Sequence, residues 1–149
     1  MLVKRLMSLL LFAALMWAPA GPVMAGPRVS IVVKTILASQ GSKFIDPNLS
    51  AVIKELQSVF RYSSYRLLNQ NSMNLGMGEK GTVLLPGNRV LRIMLLGIAG
   101  KRVQLRLAIF KKKKKIFQTV TQLLNKNSII VGGPRHRGGY LLFNIFTSF

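Results

Sequence analysis

Apolar and polar residues alternate from Arg28 to Leu37. Val29, Ile31, Val33, Thr35 and Leu37 fall on one face, and Ser30, Val32, Lys34 and Ile36 on the other. A period of two predicts a first β-strand. After a polar turn over Gln40–Lys43 the period changes. Leu49, Val52, Ile53, Leu56, Val59 and Phe60 are spaced as one stripe of a 3.6-residue helix. Asp46 supplies an N-cap and Pro47 suits the first helical position, where its missing N–H costs nothing.

From Tyr62 onward the period returns to two. Strands are expected over Ser64–Leu75, with Tyr65, Leu67 and Asn69 on one side, then over Thr82–Leu85 and Arg89–Leu96. Val103, Leu105, Leu107 and Ile109 form the apolar face of another strand, opposite Arg102, Gln104 and Arg106. Ile116–Leu124, Ser128–Val131 and Tyr140–Phe146 complete the set. Turns are expected at Gly76–Gly81, Pro86–Asn88, Gly97–Gly100, Lys111–Lys115 and Asn125–Asn127, with a glycine-rich loop over Gly132–Gly139. Strands of this length joined by short turns favour antiparallel pairing. The expected class is α+β: a mostly antiparallel sheet or small β-sandwich of meander type, with one amphipathic helix packed on it.

The first 25 residues break the pattern. Lys4 and Arg5 precede an apolar run from Leu6 to Trp17, interrupted by Ser8, and Pro19, Gly21 and Pro22 follow. Val23-Met24-Ala25 places small or β-branched residues before Gly26, the layout of a secretory signal peptide. The run is shorter than the roughly 18–20 residues of a membrane-spanning helix. Residues 1–25 are therefore read as a signal peptide and residues 26–149 as one β-rich domain, periplasmic or secreted, with no transmembrane segment left after cleavage.

Charge then narrows the function. The chain carries 22 Lys and Arg against 3 Asp and Glu, a formal net charge of +19, and no Cys. Such an imbalance repels itself and calls for anions nearby. An anionic envelope surface or an acidic protein is the expected partner. The sequence leaves the oligomeric state open. Nucleic acid is disfavoured, because no aromatic signature interleaves with the basic residues as in a base-stacking sheet.

Catalytic chemistry has few carriers. Asp46, Glu55, Glu79 and His136 are the carboxylates and the imidazole of the whole chain. Asp46 is spent as a cap, Glu55 lies on the polar helix face, and no G-x-S-x-G elbow accompanies His136. No metal-ligand cluster is visible, so no catalytic residue, metal or cofactor is expected, and the protein is read as a non-enzyme. The candidate anion-binding residues are instead Lys111, Lys112, Lys113, Lys114 and Lys115 at one turn, and Arg135, His136 and Arg137 in the glycine-rich loop. Lysines at a loop tip act as point charges, so docking there is salt-sensitive. Glycines flanking Arg135 and Arg137 expose backbone N–H groups and suit an anion nest.

Ile45-Asp46-Pro47, Phe60 to Leu68 with its Tyr-Ser-Ser-Tyr core, Gly78-Glu79-Lys80-Gly81, Leu85 to Arg89 and Ile130 to Pro134 resemble a group of small exported bacterial β-rich proteins of unknown function. The segment ending in Val131-Gly132-Gly133 is also similar to a late strand of bacterial secretin domains. The resemblance implies a β-rich exported fold and no activity or site residues. The expected role is an exported, non-enzymatic binding or accessory module of the envelope, with a basic surface for an anionic partner. The alternative is a structural subunit of an envelope or secretion-related assembly, built by sheet-edge pairing.

Overall fold

A computed structural model describes residues 20–21 and 26–149. The expected signal peptide lies outside the described residues except for Ala20 and Gly21. Among the described residues, nine strands make two sheets: β1 (Arg28–Ser39), β2 (Phe44–Ile45), β3 (Ser64–Gly76), β4 (Lys80–Leu85), β5 (Arg89–Ala99), β6 (Arg102–Lys111), β7 (Lys114–Leu124), β8 (Asn127–His136) and β9 (Gly139–Ser148). The first sheet has the order β2-β3-β1-β9-β8 and the second β4-β5-β6-β7. Pairing is antiparallel except between β2 and β3.

Only the second sheet is a meander. In the first, the last long strand returns to lie beside β1, so β1 sits between β3 and β9. The chain passes between sheets twice, at Met77–Glu79 and at Asn125–Lys126. Arg28 clamps the first crossing: its guanidinium meets both Glu79 carboxylate oxygens at 3.1 Å and donates to the Asn74 carbonyl at 2.7 Å. Glu79 Oε2 also accepts from the Gly76 N–H. That bond first, then Arg28, holds the Glu79 carboxyl below its ordinary pKa.

One buried cluster draws from both sheets. Val29, Ile31 and Val33 of β1 and Leu141, Phe143 and Ile145 of β9 join Leu91, Ile93 and Leu95 of β5 and Val103, Leu105, Leu107 and Ile109 of β6. The alternation read from β1 thus buries the expected face. The even positions Ile36 and Ala38 enter a second cluster with Leu142, Tyr65, Leu49, Val52 and Leu56. The helical segment therefore packs on the other face of the first sheet.

That segment differs from the expected continuous helix. Asp46 caps as expected, its side chain accepting from the Asn48 N–H at 3.0 Å, but the turn it starts is a 3₁₀ turn over Pro47–Leu49. The α-helix α1 spans Ile53–Val59 only. Asp46 Oδ2 also accepts from the Leu67 N–H of β3 at 3.1 Å, so the cap is tied to the sheet. Leu49, Val52 and Leu56 are buried, Ile53 and Phe60 are half-buried, and Val59 is 62 % exposed. The stripe does not stay on one face because the 3₁₀ turn and the non-helical Val52 break the 3.6-residue phase that its spacing assumes.

Register shifts account for the other departures. In β3, Thr35 faces Asn69 and Ile36 faces Leu67, which leaves Leu68 as a bulge. Tyr65 and Leu67 therefore point to the helix side, and Asn69 turns to the opposite side, contrary to the simple alternation. A second shift in β5 lets that strand run to Ala99, so the expected Gly97–Gly100 turn is only Gly100-Lys101. A third between Gly132 and Arg135 carries β8 to His136, which removes most of the expected glycine-rich loop. Gly139 is required at the turn end, where any Cβ would collide with the Ala38 carbonyl of β1.

Leu56→Ala should cost about 2–5 kcal/mol, since a fully buried leucine leaves a cavity. Val59→Ser should change stability by no more than about 0.5 kcal/mol. Urea midpoints of the two variants check the assignment, and equal losses would place α1 the other way round.

Candidate functional site

Three hairpin tips meet at one end of the fold. The first is β4–β5, closed by Pro86–Asn88, with Gly87 and Asn88 at φ 80° and 56°. The second is β6–β7. Lys111 pairs with Lys114, which leaves Lys112 and Lys113 as the two turn residues, at φ 48° and 65°. Positive φ at both central positions is the signature of a type I′ hairpin. The third is β8–β9, where His136 pairs with Gly139 and the turn is Arg137-Gly138, at φ 44° and 74°.

Arg89 links the tips. It opens β5 and lies opposite Lys111 in the β5–β6 register. Its Nε donates to the Pro86 carbonyl at 2.9 Å and its Nη1 to the Arg135 carbonyl at 3.0 Å, while Nη2 lies 3.4 Å from His136 Nδ1. Gly87 allows this fold-back, because a Cβ there would stand 3.3 Å from the Arg89 guanidinium. The two basic segments singled out in the sequence are therefore brought together: Arg135 and His136 contact Arg89, and Arg89 neighbours Lys111 across the strands.

The candidates differ in how they are held. Lys111, Lys112, Lys113 and Lys114 are exposed at their tip. Lys115 pairs with Phe110, lies on the open face of the second sheet and donates to Gln118 Oε1 at 2.6 Å. Arg135 donates to the Tyr140 hydroxyl at 2.9 Å and stacks over that ring. Arg137 is exposed in the turn. A shallow surface depression runs along Arg135 to Tyr140.

His136 is a weaker base than an ordinary histidine. Partial burial first, then the positive charges of Arg137 and Arg89, pushes its pKa below the ordinary 6.5. A neutral ring can accept from Arg89 through Nδ1, whereas a protonated ring repels it. Sequence reasoning missed Arg89 because its role arises from cross-strand register and a folded-back side chain. Its only local signal is the Pro-Gly-Asn-Arg turn.

Two of the three carboxylates are spent on the fold. Asp46 caps the 3₁₀ turn, its pKa lowered first by the Asn48 N–H bond, and Glu79 holds Arg28. Among the described residues, no group of three or more His, Cys, Asp or Glu side chains is placed to hold a metal. No helix among them is long and apolar enough to cross a membrane. The chain matches no known protein family, no characterised protein and no solved structure.

Two outcomes follow. Replacing Lys112-Lys113 by Asn-Gly should raise stability by about 1–2 kcal/mol, because lysine in the left-handed region is strained and Asn-Gly is suited to it. A lower melting temperature would give the lysines a structural role. The His136 ring should titrate below 6.5 by NMR, and Arg89→Gln should move it upward. The folded pKa lies below the unfolded one, so the ring's contribution is complete above the unfolded pKa. It fades as pH falls through the folded one.

Proposed function

We propose that the protein is an exported, non-enzymatic binding module that presents the three-tip end to an anionic partner. The observation that carries this reading is Arg89, whose bonds to Arg135 and His136 and pairing with Lys111 gather the basic residues at one end. A polyanion seated there relieves repulsion among lysines that have no carboxylate beside them. Export rests on the N-terminal signal layout and on the resemblance to small exported bacterial proteins. We also read the two sheets as the layers of a small sandwich, on the strength of the buried cluster that they share. An envelope surface or an acidic protein supplies the required charge.

The structural-subunit reading has one observation in its favour. The edge strand β7 exposes Ile116, Val120 and Leu124. Lys114 and Lys115 at its start oppose edge pairing by a second copy, since edge lysines block such contacts.

Heparin binding is the test. Neutralising Lys112, Lys113, Arg135 and Arg137 to Gln should weaken it at least about tenfold, roughly 1.4 kcal/mol. Lys54, Lys101, Arg102 and Lys126, changed likewise, should weaken it less. Affinity should also fall steeply with salt, because exposed charges are screened. Equal losses from both sets would mean that net charge alone binds, with no site.

A further inference from the structure

The outward face of the second sheet carries a second cationic feature that the tips do not explain. Ala108 of β6 is 5 % exposed although its side chain lies on this outer face. It pairs with Arg92 on one side and Gln118 on the other, and Arg106 and Phe110 flank it along the strand. A methyl group ringed by long side chains makes the floor of a depression, whose lining adds Lys80 and Lys115. Arg92 and Arg106 are diagonal neighbours across the β5–β6 pair, at the spacing of about 7–8 Å that such positions have.

No carboxylate answers these four cations. Asp46 and Glu55 belong to the helical segment on the far face of the other sheet, and Glu79 is held by Arg28 and the Gly76 N–H. Two guanidiniums and two ammoniums around a small floor match a phosphate group, which Arg recognises with paired N–H donors. The rim is apolar. Leu84 is 74 % exposed and Val120 45 % exposed on the same face, in register with Val90 and Arg106 respectively. Exposed aliphatics beside cations are the composition of a surface that meets the boundary between headgroups and acyl chains.

We propose that this face is a docking surface for a membrane rich in anionic phospholipid, with a headgroup phosphate over Ala108 and Leu84 and Val120 against the acyl boundary. A nucleic acid fits less well, because Phe110 is the aromatic of the depression and Arg92 already lies 4.5 Å above its ring. The inference deepens the reading that the protein takes an anionic partner, and it specifies a different surface and a lipid source.

Sedimentation with vesicles of phosphatidylcholine, with and without phosphatidylglycerol, tests it. The protein should bind the mixed vesicles and not the neutral ones. Arg92→Gln with Arg106→Gln should reduce binding at least tenfold, and Lys54→Gln with Lys101→Gln no more than about threefold. Should the double arginine variant fail to fold, Lys80→Gln with Arg106→Gln replaces it with the same expectation. Leu84→Ser with Val120→Ser should reduce vesicle binding at least fivefold and leave heparin binding unchanged. Equal losses from the arginine and lysine pairs, undiminished vesicle binding by the serine variant, or full competition by free glycerol phosphate would each overturn the proposal. Heparin binding that depends on the tips, with no binding to mixed vesicles, would remove this face and leave the proposed function standing. Vesicle binding that depends on Arg92 and Arg106, with heparin indifferent to the tip variants, would do the reverse.

Discussion

Everything in this fold depends on β1 being buried from both sides. Its odd positions, Val29, Ile31 and Val33, enter the cluster shared with the second sheet. Its even positions near the C-terminal end, Ile36 and Ala38, enter the cluster under the helical segment. A one-residue slip turns every side chain of a strand to the opposite face, so a slip of β1 would carry Val29, Ile31 and Val33 out of one cluster and Ile36 and Ala38 out of the other. Such a strand has to lie inside a sheet, with β3 and β9 on its flanks, and the strand order follows from that. The 3₁₀ turn and α1 cover only the end of the sheet where β1 carries Ile36 and Ala38. Ser30, Val32 and Lys34, on the same face, continue beyond that cover.

Charge is the second constraint, and it acts through scarcity. Two of the three acids have structural tasks: Asp46 holds the start of the helical segment against β3, and Glu79 fixes the crossing between sheets through Arg28. Among the described residues Arg28–Glu79 is the one ion pair, so the remaining cations have water, neutral acceptors or aromatic rings as partners. Arg89 is used differently: its guanidinium nitrogens meet two backbone carbonyls and a ring nitrogen, and no carboxylate. A guanidinium can serve as backbone glue in this way because its charge persists while its donors are satisfied by neutral acceptors.

Much of this was legible in the sequence, for a physical reason. Alternation reports which face of a strand meets apolar surroundings, so β1, β6 and the lysine hairpin are recoverable from local pattern. Asp46-Pro47 reports a helical start. Local pattern does not report partners. That β9 returns to β1, that β2 pairs in parallel with β3, and that β8 continues to His136 depend on contacts far apart in sequence. Bulges add to the loss: the one at Leu68 reverses the facing of Asn69, and no residue type announces it. Val59 has the right spacing for the apolar stripe and still faces water, because spacing cannot report that the segment starts as a 3₁₀ turn and is interrupted at Val52. Of the candidate site, the basic segments were legible, and Arg89 and the ring of residues around Ala108 were not.

The Ala108 depression shows how register, beyond composition, places cations on the face of a sheet. Arg92 and Arg106 each occupy an ordinary solvent-facing position of an amphipathic strand, and either alone reads as a solubilising residue. Antiparallel pairing sets Arg92 opposite Ala108 and Arg106 opposite Met94, so the two residues are diagonal neighbours, with the Arg92 guanidinium over Phe110 and the alanine leaving open space between the two arginines. A shift of two residues in the β5–β6 register would keep every side chain on its present face and the core equally apolar, yet it would separate the pair. The β5–β6 turn at Gly100-Lys101 and the bulge beside Leu96 fix that register from the opposite end of the hairpin. The cationic surface is thus set by a turn that contributes nothing to it.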